Sequence, residues 1–250
     1  DSFGTVWVEK GWRAVKGSQG SLLIEEEKHP RKDLAHSAVQ HELFASRFYC
    51  VVEEMGAQLK RTAISVNVRE RLDFSCALLD QSGYLVANAP HIPVHLGALG
   101  LCVRHSIQAI PEIKEGDILI TNHPGFGGSH LPDITVFAPV FDRNGNILCF
   151  LANRAHHSEI GGISPGSMPA GSKDLGQEGV VIPPMHIFQN RHSKLNEIIN
   201  LLNAGKYPSR QPEENRADLS AQIASLRRGI KEMQMLEAEH STEELQRHMN

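Results

Sequence analysis

The stretch Asn122-His123-Pro124-Gly125-Phe126-Gly127-Gly128-Ser129-His130-Leu131-Pro132-Asp133 decides how the chain reads. It lies between two apolar runs, Asp117–Thr121 and Ile134–Phe141, which read as strands. Its glycines allow a tight turn and a close approach of backbone to a ligand. The next apolar run, Ile147–Asn153, follows Asp142-Arg143-Asn144-Gly145-Asn146, a turn composition, so the two runs form a hairpin. A hairpin returns the chain to the sheet end it left. Ala155-His156-His157-Ser158-Glu159 therefore arrives beside the loop ending in Asp133, although His156 lies 23 positions further along. His130, Asp133 and His156 then present two imidazoles and one carboxylate at one sheet edge. That donor set suits Zn, Mn or Fe and leaves positions open for water or substrate. Spacing alone leaves a second reading open, in which these side chains cap loops and bond backbone groups.

Outward from this hairpin, Phe74–Leu79 and Tyr84–Ala87 flank Asp80-Gln81-Ser82-Gly83 and predict another hairpin. From Asp33, an N-cap residue, to about Ala63 the pattern is helical. Val39, Leu43, Phe44, Phe48, Val51, Met55 and Leu59 form one stripe expected to be buried. Gly97–Ile110 predicts a helix stopped by Pro111, and Pro212 to about Gln246 another. In the latter, Leu219, Ile223, Leu226, Ile230 and Met233 form a seam that packs on the domain body or on a partner. The predicted class is α+β, a mixed sheet with hairpins flanked by long helices. Residues 1–27 read as a separate β-rich piece, with strands Thr5–Val8 and Ser21–Ile24 joined across Gly17–Gly20. Such a two-stranded unit is marginal alone, so it is expected to pack on something else. The glycine- and proline-rich stretch from Gly161 to Pro184 is too long for a simple connector, and such loops are functional or disordered.

Composition narrows the classes. Hydrophobic residues make up 40% and charged residues 22%, ordinary for a soluble globular protein. A net charge of −4 provides no basic footprint for nucleic acid. No apolar run is long enough for a membrane span. Cys50, Cys76, Cys102 and Cys149 are scattered in apolar stretches without a C-x-x-C, which predicts reduced thiols and a cytoplasmic protein. The fourteen histidines include the tight pairs His91/His95 and His156/His157. His95, in a proline-stiffened segment before a helix, is a further candidate ligand or proton carrier, or else bonds backbone at the helix start. Asp73, in Glu70-Arg71-Leu72-Asp73-Phe74-Ser75, either serves the site or pairs with Arg71. Gly166–Lys173 has the glycine spacing of a phosphate loop. It is rejected as a nucleotide site, because Ser172 intervenes before Lys173 and Pro169 interrupts it.

Four ordered segments resemble the hydantoinase B/oxoprolinase family. They are Glu70–Ser75, Pro90-His91-Ile92-Pro93-Val94-His95-Leu96-Gly97, Asn122–Asp133, and His156-His157-Ser158-Glu159-Ile160-Gly161-Gly162 through Pro169. Asp1 to Glu25 looks like the extreme end of a hydantoinase A-type subunit. The resemblance implies three regions: an A-type remnant at 1–27, a linker at 28–36, and the N-terminal part of a B-type domain at 37–250. That is the layout of the fused, ATP-dependent oxoprolinase branch, and it makes the chain an excerpt of a larger multidomain protein. It further implies hydrolysis of 5-oxo-L-proline to L-glutamate, a step of glutathione metabolism. Mg-ATP would be bound by the A-type domain of the same polypeptide, which phosphorylates the amide oxygen. By motif with acetone carboxylases, His130, Asp133 and His156 would hold a divalent metal. Asp73, His95 and His157 are carried over as catalytic groups, with His157 and Glu159 expected to orient the imidazoles. His123 stands where many bacterial relatives have Asp, which favours the oxoprolinase branch, and Glu159 stands where Asp is usual. An N-substituted hydantoinase or another lactamase is the alternative within this chemistry. A structural or interface module without activity is the alternative outside it. The expected partners are a small cyclic amide, the A-type domain and further copies of the chain, with neither nucleic acid nor membrane. Without an ATP motif, the excerpt alone is expected to be inactive.

Overall fold

Both main hairpins are built by the same local chemistry. Asp80 Oδ1 accepts from the backbone N–H groups of Ser82 and Tyr84, each at 2.8 Å, and Gly83 takes φ 82°. Asp142 Oδ1 likewise accepts from Asn144 and Asn146, at 2.9 and 2.8 Å, and Gly145 takes φ 80°. Each carboxylate stands in for a backbone acceptor, and each glycine supplies the left-handed residue that closes the turn. The computed structural model describes residues 8, 12–17, 21–26, 34–89, 96–167, 169–190 and 192–249.

Contacts divide the chain into Asp1–Leu43 and Phe44–Asn250. In the first unit, β1 (Trp12–Lys16) pairs antiparallel with β2 (Leu22–Glu26), and Arg13 reaches Glu25 across the strands at 3.1 Å. The strand expected at Thr5–Val8 lies almost wholly outside the described residues, and Trp12–Lys16 is what pairs across the turn. Helix α1 (Leu34–Thr62) begins in this unit. Asp33, the expected cap, is also outside the described residues. Val39 and Leu43 are exposed, so the buried stripe is shorter than expected and starts at Phe44.

The second unit holds α2 (Val66–Arg69), β3 (Phe74–Asp80), β4 (Leu85–Ala89), α3 (Leu96–Ala109) and β5 (Ile118–Thr121). It continues through β6 (Asp133–Phe141), β7 (Ile147–His156), α4 (Leu175–Glu178), β8 (Met185–Gln189) and β9 (His192–Ser193). Three helices end it: α5 (Leu195–Ala204), α6 (Pro212–Glu239) and α7 (Thr242–Met249). The strands form one seven-stranded sheet in the order β4-β3-β7-β6-β5-β8-β9. The α+β class holds, and every described pairing is antiparallel, where a mixed sheet was expected. The short strands β8 and β9 and helix α5 had no counterpart in the sequence reading. The final helical stretch is broken at His240, where Ser241 Oγ accepts from Glu244 N and starts α7 anew.

Strand alternation gives the sheet two different faces. Ala77, Leu79, Leu119, Phe137, Phe150 and Ala152 form a small core with Leu99 and Val103 of α3. The opposite face carries the main core, joining Phe48, Met55 and Leu59 of α1 to Leu151 and Ala155 of β7 and to Leu219, Leu226 and Met233 of α6. The α6 seam is therefore buried within this chain, with Ile230 only partly covered, and it supplies no argument for a second copy. Cys76, Cys102 and Cys149 are buried, and burial pushes Cys76 up to about 12. Cys50 is exposed, although its place in an apolar stretch suggests a core thiol. No helix among the described residues is long and apolar enough to cross a membrane.

Helix α6 lies close to α1 at Gly229, where an added Cβ would stand 2.5 Å from Met55 Sδ and 2.9 Å from Leu151 Cδ1. Gly229→Val is expected to lower stability by about 1–3 kcal/mol through overpacking. The effect should appear as a lower urea midpoint at unchanged slope, and an unchanged midpoint would refute the tight crossing.

Candidate metal centre

Asp133 opens β6, His156 closes β7, and the two are direct register partners. Cross-strand partners share a face, so the Asp133 carboxylate meets the imidazole, with Oδ1 2.9 Å from His156 Nδ1. The second oxygen, Oδ2, accepts from Ser129 Oγ at 2.6 Å and from the His130 backbone N–H at 3.3 Å. It also lies 3.3 Å from His130 Nδ1. The carboxylate is buried at 1% exposure, whereas the His156 and His130 side chains are 15% and 52% exposed. The site thus has a rigid floor and one imidazole on its open side. Burial depresses the His156 pKa, but the Asp133 hydrogen bond and charge, with the charge of Asp73, more than offset it, so the net shift is upward. One ligand atom from each of His130, Asp133 and His156 can be chosen so that all lie within 4.8 Å of one another. Ligands about 2.1 Å from a tetrahedral ion stand roughly 3.4 Å apart, so a small side-chain adjustment would close the set around an ion.

The loop before Asp133 is held from below. Asn122, fully buried, donates to the carbonyls of Leu131 at 2.8 Å and Val180 at 2.9 Å, and its Oδ1 accepts from Ile182 N at 2.7 Å. Gly127, at φ 83°, and Gly128 sit where a Cβ would stand 2.8 Å from Cys102 N and 2.5 Å from Asn122 O, so no larger residue fits. His123 Nδ1 accepts from Gly125 N at 2.9 Å and caps the 3-10 turn Pro124–Phe126. A carboxylate could make the same cap.

The other candidates separate. Asp73 is brought to the cluster: its carbonyl accepts from His156 N at 3.0 Å, and its charge acts on the ring. Leu72 takes φ 55°, a strained conformation for a bulky residue, as the chain passes from α2 into β3. His91 and His95 lie outside the described residues. His157 is not brought to the cluster. It faces the opposite side of the sheet, wholly buried beneath α6. There Gln222 Nε2 donates to Ile134 O at 2.9 Å and Asn153 Oδ1 at 3.0 Å, which turns Gln222 Oε1 toward His157 Nε2 at 3.1 Å. His157 Nδ1 faces the Asn215 amide nitrogen at 3.3 Å. The two contacts together define a neutral imidazole with its proton on Nε2, and burial pushes its pKa down. Glu159 does not orient the imidazoles either. It accepts from Gly161 N at 2.6 Å and Gly166 N at 3.0 Å and pairs with Arg210 at 3.0 Å, anchoring the glycine-rich segment. Gly161 and Gly162 in that segment take φ 93° and 95° against the carbonyls of Tyr207 and Glu178. Two supports escaped the sequence reading. One is Ser129. The other is Arg154, a lone charge inside the apolar run Ile147–Ala155 whose parity with His156 was the available signal.

Comparison with known proteins gives the chain a family and a shared fold. The hydantoinase B/oxoprolinase family model matches residues 37–250, and the chain belongs to that family. It is 45% identical over 242 residues to 5-oxoprolinase 1 of Arabidopsis thaliana, covering 90% of this chain and 19% of that protein. It is 44% identical over 214 residues to 5-oxoprolinase of Saccharomyces cerevisiae, covering 83% of this chain and 17% of the relative. The chain therefore spans less than a fifth of the length of these relatives. The crystal structure of an ATP-dependent caprolactamase from Pseudomonas jessenii shares the fold, with a TM-score of 0.76 and 23% identity over 85% of this chain and 36% of the other.

Gln222→Leu would leave the Ile134 carbonyl, the Asn153 amide oxygen and His157 Nε2 without their buried partner. The expected cost is about 2–4 kcal/mol of unfolding free energy. Calorimetry or urea unfolding measures it, and a loss below about 0.5 kcal/mol would contradict the network.

Proposed function

We propose that this chain carries the hydrolytic metal centre of an ATP-dependent enzyme that opens cyclic amides, with 5-oxo-L-proline as substrate and L-glutamate as product. The observation that carries the reading is the convergence of His130, Asp133 and His156 at one sheet end. Two imidazoles and a carboxylate are a donor set for Zn, Mn or Fe, and the half-exposed His130 leaves the site open to a small molecule. A divalent ion held there would supply Lewis acidity for attack on the activated amide carbon.

The protein's own groups divide the remaining work. Asp133, locked by Ser129 and the His130 backbone, fixes the orientation of the carboxylate. His156 is held by the strand register and feels the charge of Asp73, and Asp73 is assigned as the group that accepts a proton at the site edge. His95 remains a candidate proton carrier. His157, neutral and enclosed, is assigned to holding β7 against α6 instead of touching substrate. An unstrained lactam is a poor electrophile, so the amide oxygen must first be phosphorylated. Mg-ATP bound by an A-type domain of the same polypeptide would perform that step. A cytoplasmic location and a homo-oligomeric assembly complete the proposal.

The test uses the full-length protein. Metal analysis is expected to find one transition-metal ion per site, and ATP-dependent release of glutamate from 5-oxoproline is expected to exceed turnover of hydantoins and caprolactam. Asp133→Asn should lower ring opening by about a hundredfold or more, since loss of such a centre removes several kcal/mol of transition-state stabilisation. A metal-free protein that retains full activity, or an unaffected Asp133→Asn variant, refutes the reading.

A further inference from the structure

Arg154 is the bulkiest fully buried side chain of the described residues. A buried guanidinium is costly unless its donors are satisfied. Here Nε donates to Thr135 Oγ1 at 2.8 Å, Nη2 to the Gly127 carbonyl at 2.9 Å, and Nη1 to Ser129 Oγ at 3.4 Å. All three acceptors are neutral, and among the described residues no carboxylate is in direct contact with Arg154. The charge serves something other than an ion pair.

The Ser129 hydroxyl shows what. It has a single hydrogen and accepts through its lone pairs. Because Arg154 Nη1 donates to Oγ, the Ser129 proton is turned to Asp133 Oδ2, 2.6 Å away. Through the Gly127 carbonyl the same guanidinium holds the other side of the loop that carries His130. One planar fork therefore spans strand β6 at Thr135 and the loop at Gly127 and Ser129. We propose that Arg154 is a positioning residue of the centre: it orients the Ser129 hydroxyl on Asp133 Oδ2 and fixes the distance between the loop-borne His130 and the strand-borne Asp133 and His156. The consequence for ion binding rests on the metal reading above. The consequence for loop placement does not.

The test compares full-length wild type with Arg154→Lys, which keeps the charge and loses the fork, and Ser129→Ala, which removes only the hydroxyl link. Two measurements are made: Co²⁺ affinity by absorbance titration, with and without His130→Ala, and the crystal structure of each metal-free variant. Arg154→Lys is expected to weaken Co²⁺ binding about tenfold or more, and Ser129→Ala to act in the same direction. His130→Ala should then add less than about twofold in the Arg154→Lys background, because an imidazole already out of place contributes little. In the crystal the Gly127–His130 loop should shift by more than about 0.5 Å relative to Asp133. A merely structural arginine would lower the melting temperature while leaving the folded protein's Co²⁺ affinity and the His130→Ala effect unchanged. Should Arg154→Lys not fold, Ser129→Ala decides by the same two readouts. If wild type takes up no Co²⁺, the metal reading fails, and an unmoved loop in the variant crystals still overturns the positioning role.

Discussion

The pairing of Asp133 with His156 depends on a single extra residue near the far end of their hairpin. Next to the turn, Phe141 pairs with Ile147, but one step later Val140 pairs with Cys149, so Leu148 is inserted on β7. Continued without the bulge, the register would set Asp133 against Ala155. The parity of β7 relative to β6 would then reverse, since a one-residue slip sends every side chain to the other face. His156 would turn into the main core and Ala155 would face the carboxylate. A bulge at one end of the hairpin thus decides whether His156 or Ala155 faces Asp133 at the other end.

From that register follows a division of labour between the two faces of β7. Arg154 and His156 lie on the α3 side, with Thr135 and Asp133 of β6 opposite them. Asn153 and His157 lie on the α6 side, where Asn215, Gln222 and Ser225 are buried next to the apolar seam. The polar residues of α6 are not an imperfection in the core. Gln222 bonds β6, β7 and His157 at once, and Asn215 adds a bond to the Glu159 carbonyl at 2.7 Å. Hydrogen bonds of this kind favour one helix placement, because any slide of α6 would leave the buried donors and acceptors of Gln222 and Asn215 unpaired.

These same features explain what the sequence disclosed. The Asp and Gly of each hairpin turn act locally, so both hairpins, and with them the His130–Asp133–His156 convergence, could be read from composition and spacing. The roles of His157 and Glu159 depended on which neighbours arrive from Asn215, Gln222 and Arg210, more than fifty positions away, and proximity in sequence to His156 misled. Val39 and Leu43 continue the α1 periodicity but are exposed, because a helical stripe is buried only where something covers it. The pairing of Trp12–Lys16 was equally hard to see, since Arg13 and Lys16 interrupt its apolar residues and leave no clean alternation. Arg154 left a legible trace, a charge at a core position of a strand, which on physical grounds had to answer to a specific set of acceptors.

The three side chains of the proposed metal centre differ in how firmly they are held, and under that proposal the difference bears on how the site would take an ion. Asp133 and His156 sit on paired strands, and their separation is set by the strand ladder. His130 rides on a glycine loop, half exposed, and is restrained by the Asp133 carboxylate and by the fork of Arg154 beneath. A fixed pair with one adjustable partner can contract around an ion without straining the sheet. It also leaves the loop side as the approach for a ligand. Placing all three donors on strands would lose that adjustment, and placing all three on loops would lose the fixed spacing that makes the cluster a site.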